Sequence, residues 1–266
     1  MAKGIILAGC GRMGSALLKG WLAAGMGPVT VIEPSPSAAL KNLARKKAVT
    51  LIASPFDVRA KSAAACLVAL KPQSLKAGAG ALAPIAAGGA LMISIAAGTP
   101  LAAMKKAWGR GARIVRAMPN TPGAVGAGIT GLYAPKSVTA GDRRLAARLL
   151  AALGPTVWVA SENQIDAVTA VSGSGPAYLF LMAEALTEAG VKEGLPRDLA
   201  EQLARATVTG AGALLAADAA PAADLRAAVT SPGGTTAAAL AILMPELPAL
   251  MARAVRAARK RAGELR

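Results

Sequence analysis

Short, uninterrupted apolar runs alternating with helix-like stretches fill the first 160 residues, and this alternation constrains the fold more than any other feature of the chain. "GIILAG", "VTVIE", "VTLIA", "CLVAL", "ALMISI" and "ARIVRAM" read as strands, most of them separated by segments with helical spacing. Strands that are apolar on both faces belong to a parallel sheet covered by helices on each side. "ITGLYA" and "TVWVA" flank a helix expected over residues 139–153 and extend the same sheet. Beyond residue 160 no strand pattern follows, while residues 177–191 and 197–217 carry helical spacing. The expected fold is α/β: a doubly wound, Rossmann-like domain over residues 1–160, then an all-helical domain over residues 161–266.

Composition excludes several function classes. The formal charge of +16 would suit nucleic acid, but the basic residues are scattered, with concentrations only at residues 41–47 and 253–266. Aromatic residues make up 3% of the chain, too few for base-stacking platforms, so no nucleic-acid partner is expected. There is no histidine, which removes His triads, His general bases and most transition-metal sites. Cys10 and Cys66 lie apart in apolar or glycine-rich surroundings and read as buried thiols; no metal site is expected. The N-terminus has no signal-peptide pattern, and the uncharged window over residues 77–104 is broken by Pro84, Pro100 and several glycines. These features point to a soluble cytoplasmic protein without a membrane partner.

The first strand runs into "GCGRMG", in which Gly9, Gly11 and Gly14 have the G-x-G-x-x-G spacing at the opening of a helix. In that context Gly9 makes the tight turn, Gly11 lets a pyrophosphate approach the backbone, and Gly14 lets helix and strand pack closely. Cys10, Arg12 and Met13 lie between them and are expected along the same cofactor. Glu33 ends the second strand, where an acid hydrogen-bonds the adenine ribose and favours NAD over NADP. Ser35, Ser37 and Lys41 follow closely and would accommodate a phosphate if Glu33 turned away, so both NADPH and NADH stay open. "ALKPQ", "SIAAG" and "RAMPNTPGAVG" stand at the ends of later strands, where open α/β sheets bind ligands. Further on, Tyr178, Leu179, Phe180, Leu181 and Met182 make one helix apolar nearly all round, which predicts a subunit interface and hence a homo-oligomer.

Taken together, "GCGRMG", "ALKPQ", "SIAAG", "RAMPNTP", "IDAVTAVSGSGPAY" and "LRAAVTSPGGTT" occur in the order found in pyrroline-5-carboxylate reductases, and the chain resembles that family over essentially its whole length. The resemblance implies an N-terminal domain that binds NAD(P)H and a helical domain that pairs subunits into an interlocked dimer, often assembled into a ring of dimers, a homodecamer. It implies that Ser231, Gly233, Gly234, Thr235 and Thr236 hold 1-pyrroline-5-carboxylate, with Thr236 in reach of the ring nitrogen, and that Glu162 faces the substrate pocket. Ala69, Lys71, Pro72, Ala97 and Asn120 would lie along the cofactor. Glu33 departs from the neutral residue common in the family.

The residues suit that chemistry. Ketone reduction needs a proton donor for the developing alkoxide, commonly His, Lys or Tyr, whereas a cyclic imine can be protonated before hydride arrives. A chain without histidine fits the imine. Two alternatives fit the residues less well. A β-hydroxyacid dehydrogenase would carry a lysine in the first turns of "SGPAYLFLMAEAL", which has none, and a non-catalytic NAD(P)H-binding regulator would have no use for a second anion site. At that second site, Ser231 is suited to cap a helix and Pro232 to its first position, leaving N–H groups at Gly233 and Gly234 for a carboxylate. A type II turn over Pro232 and Gly233 is the alternative reading.

Overall fold

The computed structural model describes residues 4–58 and 63–265, so the first three residues of the N-terminal segment and Arg266 of the basic C-terminus lie outside it. The chain forms two compact units: one runs to Gly173 and takes back the end of the chain from Ala258, and the other is Ser174–Ala257.

The first unit is built on eight strands: β1 (Gly4–Ala8), β2 (Val29–Ile32), β3 (Thr50–Ile52), β4 (Ala63–Val68), β5 (Leu91–Ser94), β6 (Ile114–Met118), β7 (Thr130–Tyr133) and β8 (Thr156–Trp158). Their order in the sheet is β3-β2-β1-β4-β5-β6-β7-β8. The six strands expected to form a parallel sheet do so, and the added strand β7 pairs antiparallel with β6, Arg116 opposite Tyr133. The link between them holds only a 3₁₀ turn, Thr121–Val125. A parallel return needs a crossover of a dozen or more residues, usually a helix, and this link supplies none. β4 also begins and ends earlier than "CLVAL", which leaves Ala69 and Leu70 beyond the strand.

Helices α1 (Arg12–Ala23), α2 (Ala38–Arg45), α3 (Pro72–Gly78), α4 (Ala83–Ala87), α5 (Leu101–Trp108) and α6 (Ala140–Leu150) cover the sheet. Alternate strand residues point to opposite faces. Ile5, Leu7, Leu67 and Ile93 therefore pack with Leu17, Leu18 and Trp21 of α1 and Leu149 of α6. Ile6, Cys66, Val68 and Met92 pack on the other face with Leu75, Ile85, Met104 and Trp108. The Trp21 indole N–H donates to Leu149 O at 2.7 Å, so the largest core side chain also satisfies its polar atom. Burial pushes the Cys66 thiol up to about 12, as expected of a thiol in this layer.

α7 (Gln164–Val168) passes through a π turn, Thr169–Gly173, before the second unit begins. The Thr169 and Ser172 hydroxyls donate back to Ile165 O and Val168 O at 2.8 and 3.0 Å, which steadies that widened turn.

The second unit is helical: α8 (Gly175–Lys192), α9 (Arg197–Ala217), α10 (Ala222–Ala228) and α11 (Thr235–Glu264), whose C-terminal end belongs to the first unit. α8 and α9 form a hairpin in which Gly190 lies against Ala200, with Gly194 supplying the positive φ of +96° at the turn. α11 runs unbroken through Pro245 and Pro248. Each proline removes a backbone donor from the ladder, so this helix depends on packing rather than on its own propensity.

Candidate active site

The strand order reverses at β1, which lies between β2 and β4. This switch point is where an open α/β sheet leaves a crevice beyond its carboxyl ends. Register fixes what stands there: Ala8 is level with Ile32 and Val68, Val68 with Ser94, and Ser94 with Arg116. The residues that follow, Gly9, Glu33, Ala69 and the segment 95–97, are therefore brought to one edge. Asn120 stands beyond the end of neighbouring β6.

The three glycines do different things. Gly9 has φ +90°, and a Cβ there would sit 2.9 Å from Ala69 O. Gly14 faces Gly9 O so closely that a side chain would force strand and helix apart. Gly11 is the N-cap of α1, makes no side-chain cap bond, and has nothing within 4 Å of the place a Cβ would occupy. Open space beside the first amides of a helix is what a pyrophosphate needs, and the residues present fit a dinucleotide. Arg12 is exposed at the start of α1, while Met13 packs against the core.

Glu33 closes the loop. Its Oε2 accepts the Cys10 N–H at 2.8 Å and its Oε1 the Ser35 N–H at 3.1 Å. The Ser15 hydroxyl donates to Cys10 O at 2.9 Å. Burial raises the Cys10 thiol above its ordinary value; the Ser15 hydrogen bond partly offsets this and the Glu33 charge adds to it. Lys71 is the exposed N-cap of α3, with Pro72 as its first residue. Ala97 is half-buried after β5, and Asn120 Oδ1 accepts the Ile129 N–H at 2.9 Å, which shapes the loop after β6.

One charged cluster escaped sequence reasoning. Arg116, in the middle of β6, is 2% exposed and donates to Glu162 Oε1 at 3.0 Å, while its other terminal nitrogen lies 3.9 Å from Asp166 Oδ1. The same Glu162 oxygen accepts the Leu101 N–H, the first amide of α5, at 2.7 Å. A carboxylate there suits the positive end of the helix dipole. The signal was present in "ARIVRAM": an arginine inside a buried strand must find an acid.

In the second unit, Ser231, Pro232, Gly233 and Gly234 form a turn closed by Gly234 N–H to Ser231 O at 3.0 Å, with Gly233 at φ +70°. That is type II geometry, so the capping roles expected of Ser231 and Pro232 are corrected. The helix starts at Thr235, and its first i→i−4 bond is Ala238 N–H to Gly234 O at 3.1 Å. The Gly234 N–H is used by the turn. The amides of Thr235, Thr236 and Ala237 precede that first bond and carry the positive end of the dipole. Gly234 has a steric reason of its own, since a Cβ there would collide with Ser231 Oγ.

Among curated proteins, the pyrroline-5-carboxylate reductase of Pseudomonas aeruginosa is 40% identical over 263 residues, covering 98% of this chain and 96% of that protein. The chain belongs to the pyrroline-5-carboxylate reductase family. The family model for pyrroline-5-carboxylate reductase dimerisation matches residues 162–265, and one described as NADP oxidoreductase, coenzyme F420-dependent, matches residues 4–98. A pyrroline-5-carboxylate reductase structure from Coxiella burnetii superposes with a TM-score of 0.91 at 37% identity, covering 100% of this chain and 99% of that one. The Plasmodium falciparum pyrroline carboxylate reductase, solved with NADP bound, gives 0.81 at 28% identity, with the same coverage. Membership in this family also removes the ground for the β-hydroxyacid dehydrogenase and regulator alternatives.

Proposed function

We propose that this chain reduces 1-pyrroline-5-carboxylate to L-proline with NAD(P)H, the last step of proline biosynthesis. The observation that carries the reading is the pairing, in one chain 40% identical to such a reductase over its length, of a dinucleotide loop with the Ser231–Gly234 turn. Residues 1–160 carry the cofactor, and residues 161–266 pair the subunits and hold the substrate. NAD(P)H supplies the hydride.

The chain's own residues bind and orient. The Thr235, Thr236 and Ala237 amides and the Ser231 hydroxyl receive the substrate carboxylate. The half-buried Thr236 hydroxyl accepts the N–H of the protonated imine and so sets which carbon faces the cofactor. Because the nitrogen already bears its proton, addition of hydride to the imine carbon leaves a neutral secondary amine, and no protein acid has to act in that step. Residues 227–245 contain no charged side chain to compete with the substrate carboxylate. Glu162, through Leu101 and Arg116, is a positioning residue for the start of α5.

On this reading the protein is a soluble cytoplasmic homo-oligomer, dimers assembling into a ring, with no nucleic-acid or membrane partner and no metal. The test is NAD(P)H oxidation with 1-pyrroline-5-carboxylate. Turnover is expected with the wild type, and Thr236→Ala should lower kcat/KM by about 10–100-fold while leaving cofactor affinity within about twofold. Absence of turnover in a folded, cofactor-binding wild type would refute the assignment.

A further inference from the structure

The carboxyl end of β2 bears on which nicotinamide cofactor the chain prefers. Glu33 stands directly after this strand and is held at both carboxylate oxygens, by the Cys10 N–H at 2.8 Å and the Ser35 N–H at 3.1 Å. Its own N–H donates to Ile52 O at 3.0 Å, so the backbone is fixed as well. Turning this carboxylate away from the crevice would break two hydrogen bonds and release the glycine loop. Each oxygen keeps a second lone pair for a ribose hydroxyl, but a carboxylate has nothing to donate to a phosphate.

The Pro34–Pro36 stretch directly beyond Glu33 is short of donors. Pro34 and Pro36 have no N–H, the Ser35 N–H is taken by Glu33, and Ser37 Oγ accepts the Leu40 N–H as the cap of α2. An added phosphate would find the exposed Ser35 and Lys41 side chains, the Ser37 hydroxyl hydrogen and the Ala38 and Ala39 amides at the start of α2, but it would meet them beside a fixed anion. Nothing equivalent opposes an adenosine with a free 2′-hydroxyl, which donates to Glu33.

We propose that Glu33 is the cofactor-specificity residue of this chain and that it makes NADH the preferred reductant over NADPH. The proposal rests on the reading of residues 9–14 as the dinucleotide loop. The NADP in the Plasmodium falciparum structure belongs to that protein.

The test is binding to the wild-type chain without substrate, followed by nucleotide fluorescence. NADH should bind about tenfold or more tightly than NADPH, and 5′-AMP should displace NADH better than adenosine 2′,5′-bisphosphate. Glu33→Gln, checked for fold by circular dichroism and thermal unfolding, should narrow the NADH-to-NADPH ratio by about fivefold or more. If this variant does not fold, the competitor comparison on the wild type decides alone. Equal or tighter NADPH binding, a bisphosphate that competes as well as 5′-AMP, or an unchanged ratio in folded Glu33→Gln would overturn the proposal and leave the reductase reading standing. Failure of both nucleotides to bind would overturn both.

Discussion

Gly233 and Gly234 each answer to a different physical demand. Gly233 adopts φ +70° with open space around it, so Gly233→Ala meets no neighbour and should cost about 1–2 kcal/mol of backbone strain. Gly234 has an ordinary φ but no room, because its Cβ would collide with the Ser231 hydroxyl. Gly234→Ala must therefore rotate Ser231, and the expected outcome is a substrate KM raised roughly ten- to a hundredfold with NADH affinity within about twofold, read from steady-state kinetics and fluorescence titration. An unchanged KM would return the segment to being a turn and nothing more. The sequence made the glycines conspicuous but put the helix start at Ser231, because Ser-Pro is a good cap pair in isolation. The preference lost to the Gly234 N–H, which closes on Ser231 O instead. The two thiols separate by environment. Half-buried Cys10, its pKa raised by burial and Glu33, should react slowly with a thiol reagent near neutral pH and faster as pH rises. Cys66, at about 12, should stay silent until the chain unfolds. Saturating NADH should protect Cys10, and labelling indifferent to NADH would place the cofactor elsewhere.

At the scale of elements, β6 and α5 are joined by one buried cation. Arg116 holds Glu162, which holds the first amide of α5, so the loop between β5 and α5 is anchored at its far end. Removing one partner of a buried ion pair strands the other, at about 3–5 kcal/mol. Arg116→Ala should fall near the lower figure, because the Glu162 side chain keeps 25% of its surface in water. Glu162→Gln retains an acceptor for Leu101 and for Arg116, and Asp166 stays 3.9 Å from the guanidinium, so it should cost less, about 1.5–3 kcal/mol. Urea unfolding checks both, and a Glu162→Gln variant of wild-type stability with a raised substrate KM would assign this residue to the substrate pocket instead. The strands were legible because a doubly covered strand is apolar on both faces, and all eight fall within the apolar runs or one to three residues from them. The direction of β7 was not written in those runs. It had to be read from the helix missing between Met118 and Thr130, a signal of what is absent rather than present. The Arg116 partner was hidden for a simpler reason: Glu162 lies 46 residues away, and nothing local links them. Continuity of α11 through two prolines was likewise invisible, since local propensity says stop at each.

At the scale of the whole molecule, the helical unit leaves much apolar surface in solvent. Leu179, Phe180 and Leu181 of α8 are 58%, 63% and 63% exposed, and α11 shows Ile242, Leu243, Met244 and Leu250. α11 is also the one described helix long and apolar enough to span a membrane, with none of that apolar window buried within the chain. Two occupants compete for such a surface, a bilayer and a second copy. A bilayer would have to accept Glu246 between two prolines in α11, and it leaves α8 unexplained, whose exposed apolar residues share a helix with Glu184 and Glu188. A second copy accounts for both helices, and residues 162–265 match the dimerisation family model. The protein is a homo-oligomer, and its mass in solution by light scattering should be an even multiple of the 26.3 kDa chain, without detergent. Phe180→Glu places a charge at the centre of the exposed α8 stripe, where an unpaired buried charge is costly. This variant should shift the mass toward the single chain and lower the unfolding temperature in a concentration-dependent way. NADH binding should persist, because the dinucleotide loop lies wholly in the first unit. A wild type that is monomeric at micromolar concentration, or that sediments with membranes, would reassign both apolar faces.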